Sequence, residues 1–526
     1  MKTKFVLFLA ILVYYNSFSQ ATVDIPDNNF KNYLVNNSEI NTNDDDEIQV
    51  SEATSFTGEI AIAYSAITSL TGLEAFTNIT SLSLYSCSLT SINISNNLSL
   101  LKLDVSKNNL TDLNISQHTN LEELTFSENN ITTLNVSLHT DLTKIVCAKN
   151  ELTSLDLSTN TKLITVDVSD NKIEGSLNLN SENLDRMIAN NNKLTTVDVR
   201  KALGLRFFGV SKNLLTVLDL SENKLLQQVD CSSNNIQGSL QLDSTDLYSL
   251  DCSYNELTSL DTSASLGNLK LVNCAQNKIP SLDFTSNINI VQIDCNNNQL
   301  TSLLVDGLVT WLQAINCQYN SITDLNLSDN IKLKRLSVYN NNLSALDVTN
   351  NTALENLYCS NNNIMELNLT KNTNLNHLDA PRNNLMTVDV RNGNNTKMNS
   401  ASKFRLSNNA NLQCVFVDDI TYSTNTWTQI DPSGAFVLDE SECQALSLNS
   451  FVSSYVGLSP NPVKNILELT VKEQLKKVTF YNLLGKKIKT AATAKINISN
   501  LKTGVYILVI DFKNGSKTIK KVIKEL

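Results

Sequence analysis

Histidine is nearly missing from this chain: His118, His139 and His377 are the three among 526 residues. A histidine-based triad or metal centre therefore has little to build with. Proline (6) and glycine (14) are also scarce, which excludes collagen-like and Pro/Gly-rich low-complexity architectures. Aromatic residues make up only 6%. There is no excess of positive charge. The net charge is −11, so a nucleic-acid partner, which needs a basic footprint, is not expected. Apart from residues 5–15, no apolar run approaches the ~20 residues of a membrane helix, and no integral membrane segment is expected in the mature chain. Gly-x-Ser-x-Gly, the phosphate-binding Gly-x-x-x-x-Gly-Lys-Ser/Thr and His-x-x-x-His are all absent.

What is present is modular. From Leu446 onward there are 14 lysines against 4 acidic residues, whereas residues 21–445 carry 25 basic and 48 acidic ones. The N-terminus has Lys2 and Lys4, the short apolar run 5–15, and the small residues Ser17 and Ser19. That pattern predicts a signal peptide over 1–19, cut between Ser19 and Gln20. Near the other end, strand-like runs at 466–471, 477–481, 505–511 and 518–523 are separated by turn signals. These are Ser459-Pro460-Asn461-Pro462, Leu484-Gly485 and Asn514-Gly515, and they predict a small antiparallel β-sandwich. The segments LSPNPVKNILEL, KKVTFYNLLGKKI and INISNLKTGVYILVI resemble the type A C-terminal sorting domain of the type IX secretion system. That resemblance implies export across the outer membrane by the type IX machinery. It also implies removal of this domain, and a product secreted or attached to the outer cell surface.

The middle of the chain repeats. One asparagine recurs at 108, 129, 150, 171, 192, 213, 234, 255, 277, 298, 320, 341, 362 and 383, with a step of 21 broken twice by 22. Cys87 and Ser65 precede the series in register, and Asn409 closes it after an insert. Around each position runs Leu-x-x-Leu-x-Val/Cys-x-x-Asn-x-Leu, as in Leu354, Leu357, Cys359, Asn362 and Ile364. This is similar to the leucine-rich repeat family in its 21-residue bacterial form. The physical reading agrees. Alternation points two side chains inward, and the asparagine amide satisfies turn groups left buried. The second half of each repeat also alternates, as in Leu155-Asp156-Leu157-Ser158, and 21 residues leave no room for a helix there. The expected fold is a mainly β repeat solenoid of about 16 coils with parallel strands, followed by the sandwich. The expected boundaries are cap 20–55, solenoid 56–415, cap and linker 416–449, and sorting domain 450–526.

Cys147, Cys231, Cys252, Cys274, Cys295, Cys317 and Cys359 fall on the inward Val position, where a thiol serves as a small buried hydrophobe. Cys414 and Cys443 lie past the last coil, in a stretch that resembles the C-terminal cap of such arrays. Export places them in oxidising surroundings, so a disulfide between them is expected.

At the other end, residues 26–35 predict a short helix carrying Phe30, Tyr33 and Leu34. After it, Asn41, Asn43, Asp45, Glu47 and Glu52 stand at loop positions 1, 3, 5, 7 and 12. This spacing resembles an EF-hand or dockerin calcium loop, with Asp46 in place of the usual glycine and Asn41 in place of the first aspartate. The alternative is an acidic cap that keeps the solenoid end soluble. Calcium is the one cofactor suggested.

No constellation for catalysis emerges, and a non-enzymatic role is expected. Read from the register, the exposed strand face is bland in the early coils, with Lys102, Asp104, Ser106, Glu123, Thr125 and Ser127. Larger groups follow on this face or its rim at Tyr254, Tyr319, Arg335, Tyr339, Tyr358, His377 and Arg382. Tyr and Arg are enriched where proteins bind ligands, which makes these the candidate ligand-binding residues. The functional expectation is a secreted or surface-displayed recognition or adhesion module for an external protein or glycan. The alternatives are a structural surface spacer and a secreted hydrolase.

Overall fold

The computed structural model describes residues 21–265, 267–307, 309–452 and 456–525. The expected signal peptide and its cut lie outside them. The chain forms two compact units, one through Leu333 and one from Lys334.

The first unit opens on helix Asn28–Val35, which starts later than predicted because Asp27 caps it: its carboxylate accepts the N–H groups of Asn29 and Phe30. Phe30 and Leu34 are buried, while Tyr33 stays at the margin and its hydroxyl accepts the N–H of Ala61 at 2.9 Å. A second short helix, Val50–Ser55, begins with a capping box between Gln49 and Glu52. Thirteen short parallel strands follow in this unit, from Glu59–Ala63 to Ala314–Asn316. They pair in register, as Lys102 with Glu123 and Leu103 with Leu124. The central residue of each three-residue strand is buried, as the alternation requires. On the other side of the coils run short extended segments, among them Ser281–Asp283 paired with Ser302–Leu304. Among the described residues no α-helix occurs between Ser55 and Ile420, so the repeat is too short for one, as expected.

The asparagine series is a buried ladder. Asn171 Nδ2 donates to the carbonyls of Cys147, Val168 and Ser169 at 3.0–3.1 Å, and its Oδ1 accepts the N–H of Leu152 at 3.0 Å. The same four contacts recur for Asn129, Asn192, Asn213 and Asn234. The residue just before each ladder asparagine is left-handed, including Lys107, Glu128, Lys149 and Tyr254 with φ of 54–57°. A left-handed non-glycine costs roughly 1–2 kcal/mol. Several buried hydrogen bonds at about 1 kcal/mol each outweigh that.

A second polar column lies deeper in the coil. Asn97, Asn160 and Asn223 donate to the carbonyls 24 and 21 residues earlier. His118 and His139 occupy the same positions, with Nε2 at 3.0 and 3.1 Å from the carbonyls of Ile94 and Ile115. Both histidines are 1% exposed, so they do not lie on an edge where they could share a metal.

The second unit has five strands of the same kind: Arg335–Ser337, Asn356–Tyr358, His377–Asp379, Phe404–Leu406 and Gln429–Ile430. That makes eighteen in the two units against about sixteen expected; seventeen lie within 56–415 and one, Gln429–Ile430, belongs to the cap beyond it. Four extended segments run opposite: Glu366–Asn368, Thr387–Asp389, Cys414–Phe416 and Ala435–Val437. The cap is stitched as expected by a disulfide between Cys414 and Cys443, with Cα atoms 5.9 Å apart. Trp427 is buried, stacks on Phe404 at 3.9 Å and donates Nε1–H to the Met398 carbonyl at 2.7 Å. Arg391 binds Asp389 through two nitrogens and reaches Glu440 at 2.9 Å and the Leu438 carbonyl at 3.1 Å.

Residues 456–525 form the predicted sandwich. Val456–Ser459, Ile466–Val471 and Lys495–Asn497 make one antiparallel sheet; Leu475–Tyr481, Lys487–Ala491, Gly504–Phe512 and Lys517–Lys524 make the other. Leu467, Phe480, Leu508 and Ile510 lie in their shared core. The Asn514-Gly515 turn joins the last two strands, with Gly515 at φ 90°.

Candidate recognition surface

Each strand offers two outward positions, flanking its buried centre. In the first unit the third strand residue is repeatedly aspartate, and the structure shows how it is used. Asp104, Asp167, Asp230 and Asp251 each accept the N–H of the residue two positions on, at 2.9–3.1 Å. These carboxylates hold their own turns. Ser106, read from the register as outward, is for that reason folded in and only 4% exposed.

Asp379 stands at the same strand position in the second unit and breaks this rule. Two positions on is Pro381, which has no N–H to give. The carboxylate is instead left to face the neighbouring strand. Register pairs it with Arg405, whose Nη1 lies 3.1 Å from Oδ1. This is an ion pair without hydrogen-bond geometry, since Oδ1 is buried with no hydrogen-bond donor. Burial raises the Asp379 pKa, with Arg405 and then His377 opposing.

Around this carboxylate the strands assemble a polar and aromatic group. His377 shares a strand with Asp379, and its ring lies 4.7 Å from that of Tyr358 at 36°. The Arg335 guanidinium lies over the same tyrosine at 5.4 Å. Arg405 Nε also donates to Gln429 at 3.0 Å. Burial lowers the His377 pKa; Asp379 opposes this, and Arg405, Lys403 and Arg335 add to it.

The structure thus brings together Arg335, Tyr358 and His377 from the sequence-predicted set. Tyr339 is half-buried in the turn after its strand, in the same unit. Arg382, Tyr254 and Tyr319 are not strand residues: they occupy the left-handed turn position, with φ of 56°, 54° and 54°. Tyr254 and Tyr319, 59% and 50% exposed, belong to the first unit.

Sequence reasoning missed Arg405, because the insert before Asn409 hides its register. It also missed two clusters in the first unit. Phe207 lies beneath the guanidinium groups of Arg186 and Arg206, at 5.6 and 5.9 Å. Tyr64 meets Tyr85 edge-on at 5.4 Å, and Lys107 lies over Tyr85. Only repeat-by-repeat alignment of the outward strand positions and of the left-handed turn positions carries a signal for these.

The acidic loop of the N-terminal cap is held by its own hydrogen bonds. Glu52 Oε1 accepts from Thr42 N–H and Oγ1–H at 2.8 and 2.9 Å, and Oε2 accepts from Gln49 N–H at 3.0 Å. Asp45 accepts from Glu47 N–H, Asn43 and Gln49. Asn41 Nδ2 donates to the carbonyls of Val35 and Asp45, and Glu47 pairs with Lys31 at 2.6 Å. Asn41, Asn43, Asp45, Glu47 and Glu52 are therefore engaged in shaping the loop and starting helix Val50–Ser55. Among the described residues no group of three His, Cys, Asp or Glu side chains is arranged to hold a metal ion.

The ladder cysteines are fully buried thiols. Burial pushes the Cys317 thiol up to about 12, and the others also upward. At neutral pH they are neutral packing groups.

Residues 458–525 match the family described as the secretion system C-terminal sorting domain. No curated protein matches the chain. Among solved structures, the PEPR1–AtPEP1 crystal structure is similar with a TM-score of 0.51 at 16% identity, over 68% of this chain and 64% of that one. The functional domain of InlJ from Listeria monocytogenes, described as including a cysteine ladder, is similar at 22% identity with a TM-score of 0.47. That likeness covers 94% of this chain and 98% of InlJ's. YopM from Yersinia enterocolitica WA-314 is similar at 22% identity with a TM-score of 0.41, over 63% and 84% of the two chains. The fold is a leucine-rich repeat solenoid with parallel strands, followed by a C-terminal sorting domain.

Proposed function

We propose that this chain is a leucine-rich repeat recognition module. It is delivered to the cell surface or medium by type IX secretion and binds an external protein or glycan without catalysis. The export half of this reading is supported by the sorting domain at 458–525, whose match indicates a secreted or surface destination. The recognition half is carried by one observation. Among the described aspartates at the third strand position, Asp379 is the one that does not hold its own turn, because Pro381 offers no N–H, and it sits with Arg405, His377, Tyr358 and Arg335 on one strand face. Aromatic and guanidinium groups held by strand pairing contribute contact area with little ordering cost. Arg335 and Arg405 stand out in residues 21–445, where acidic residues outnumber basic ones by 48 to 25, and they favour a ligand bearing carboxylates.

The test is binding of the chain lacking the sorting domain to arrays of cell-surface proteins and of neutral and uronate-bearing oligosaccharides. Tyr358→Ala and Arg405→Gln should each weaken capture at least tenfold with little change in melting temperature. Unchanged binding in both variants removes this site. A spacer would show no ligand that depends on either residue.

A further inference from the structure

The sorting domain carries an exposed apolar hairpin tip within the segment KKVTFYNLLGKKI. The hairpin between Leu475–Tyr481 and Lys487–Ala491 ends in Leu483 and Leu484, 71% and 92% exposed, with Ile488 at 38% beside them. Leu484 is a fully apolar side chain held out in solvent. The tip is rigid. Asn482 Oδ1 accepts the N–H groups of Leu484 and Lys486 at 3.1 and 2.9 Å, and its own N–H donates to the Lys486 carbonyl at 3.0 Å. Gly485 closes the turn at φ 74°, with its N–H on the Asn482 carbonyl.

The sequence around the tip carries charge of one sign. Between Glu473 and Asp511 there is no acidic residue, and there are seven lysines: 476, 477, 486, 487, 489, 495 and 502. Lys477 and Lys495 are paired with Asp511 and Glu468. Lys486 and Lys487, which adjoin the leucines, form no ion pair among the described residues. A protein partner would have to present an apolar pocket ringed by complementary acidic groups. A protruding apolar tip ringed by one sign of charge instead matches the two-part chemistry of a membrane surface, where apolar groups enter the acyl boundary and lysines meet anionic headgroups.

We propose that the Leu483 and Leu484 tip, with Lys486 and Lys487, docks the sorting domain reversibly onto an anionic phospholipid surface. This is independent of the ligand reading of the solenoid face. The contact is peripheral. No helix among the described residues is long and apolar enough to cross a bilayer.

The experiment is co-sedimentation of residues 20–526, with the sorting domain retained, with protein-free vesicles of phosphatidylglycerol and phosphatidylethanolamine, against pure phosphatidylcholine. Binding to the anionic vesicles should be at least tenfold stronger. Leu483→Asn combined with Leu484→Asn should reduce it at least tenfold. Lys486→Gln with Lys487→Gln should reduce it and flatten its salt dependence. Because all four side chains are exposed, melting curves of the variants should overlay that of the parent. Millimolar inorganic phosphate should not displace the protein; displacement would make the ligand a free phosphate group and overturn the membrane reading. Binding unaffected by the leucine changes would reduce the interaction to diffuse charge attraction. Binding only to native membranes, and not to protein-free vesicles, would make the partner a protein. Either result overturns the proposal.

Discussion

The ladder asparagine is the residue on which each coil depends. Asn171 makes four hydrogen bonds inside the coil, and alanine at that position leaves the buried Leu152 N–H without its acceptor and takes one of two donors from each of the carbonyls of Cys147, Val168 and Ser169. Asn171→Ala should destabilise by about 1–3 kcal/mol, measured by chemical denaturation. By contrast His118→Asn should be nearly neutral, since Asn97 and Asn160 fill the same position in nearby coils. His377 behaves differently from the other two histidines because it is only part-buried. Burial holds its pKa below the ordinary value of about 6.5. The unfolded chain then binds the proton first as pH falls, so stability rises with pH over that interval. Its contribution is full above about 6.5 and is lost as pH falls toward the lowered value. Hydrogen exchange of strand His377–Asp379 should accelerate across that range, and His377→Asn should remove the dependence. Asp379, raised by burial, has the opposite sign: its contribution is present at low pH and lost as it ionises.

At the scale of elements, strands of three residues cannot stand alone. Each is held by its two neighbours, and the end coils need covers. The C-terminal cover is fastened by Arg391, the Cys414–Cys443 disulfide and the stack of Trp427 on Phe404. A crosslink closing 29 residues stabilises by about 2–4 kcal/mol. Cys414→Ser with Cys443→Ser should therefore lower the melting temperature and expose the segment Ala435–Val437 to proteolysis first, mapped by mass spectrometry. The free ladder thiols should stay unmodified by alkylating reagents until unfolding, because all eight are buried.

For the whole molecule, the parts carry opposed charge: residues 21–445 have 48 acidic and 25 basic residues, and from Leu446 onward 14 lysines stand against 4 acidic residues. The proposed export reading makes the repeat region the part that is delivered and the basic domain the part that is removed. Peptide mass spectrometry of medium, outer membrane and periplasm should find the chain outside the cell, starting at Gln20 and lacking the segment after about Leu446. Intact C-terminus in the periplasm would mean that the basic domain is a working part and that the ligand lies within the envelope.

The repeat period, the inward cysteines, the ladder asparagines and the antiparallel sandwich were legible from residues alone. Each depends on a local spacing that recurs many times, and a recurring spacing survives without knowledge of contacts. The candidate site was legible only in part. Arg335, Tyr358 and His377 could be placed by register, because their strands obey the 21-residue step. Arg405 could not, since an insert breaks the step just before it. The use of Asp379 was also hidden. The sequence shows an aspartate like its counterparts, and only the fold reveals that those counterparts spend their carboxylates on a backbone N–H two residues on, which Pro381 lacks. Tyr254, Tyr319 and Arg382, expected on the strand face or its rim, stand in left-handed turns beside the strands, just before ladder asparagines that bond to the neighbouring coil. Local spacing determined the architecture, and contacts between coils decided which side chains are left free to bind.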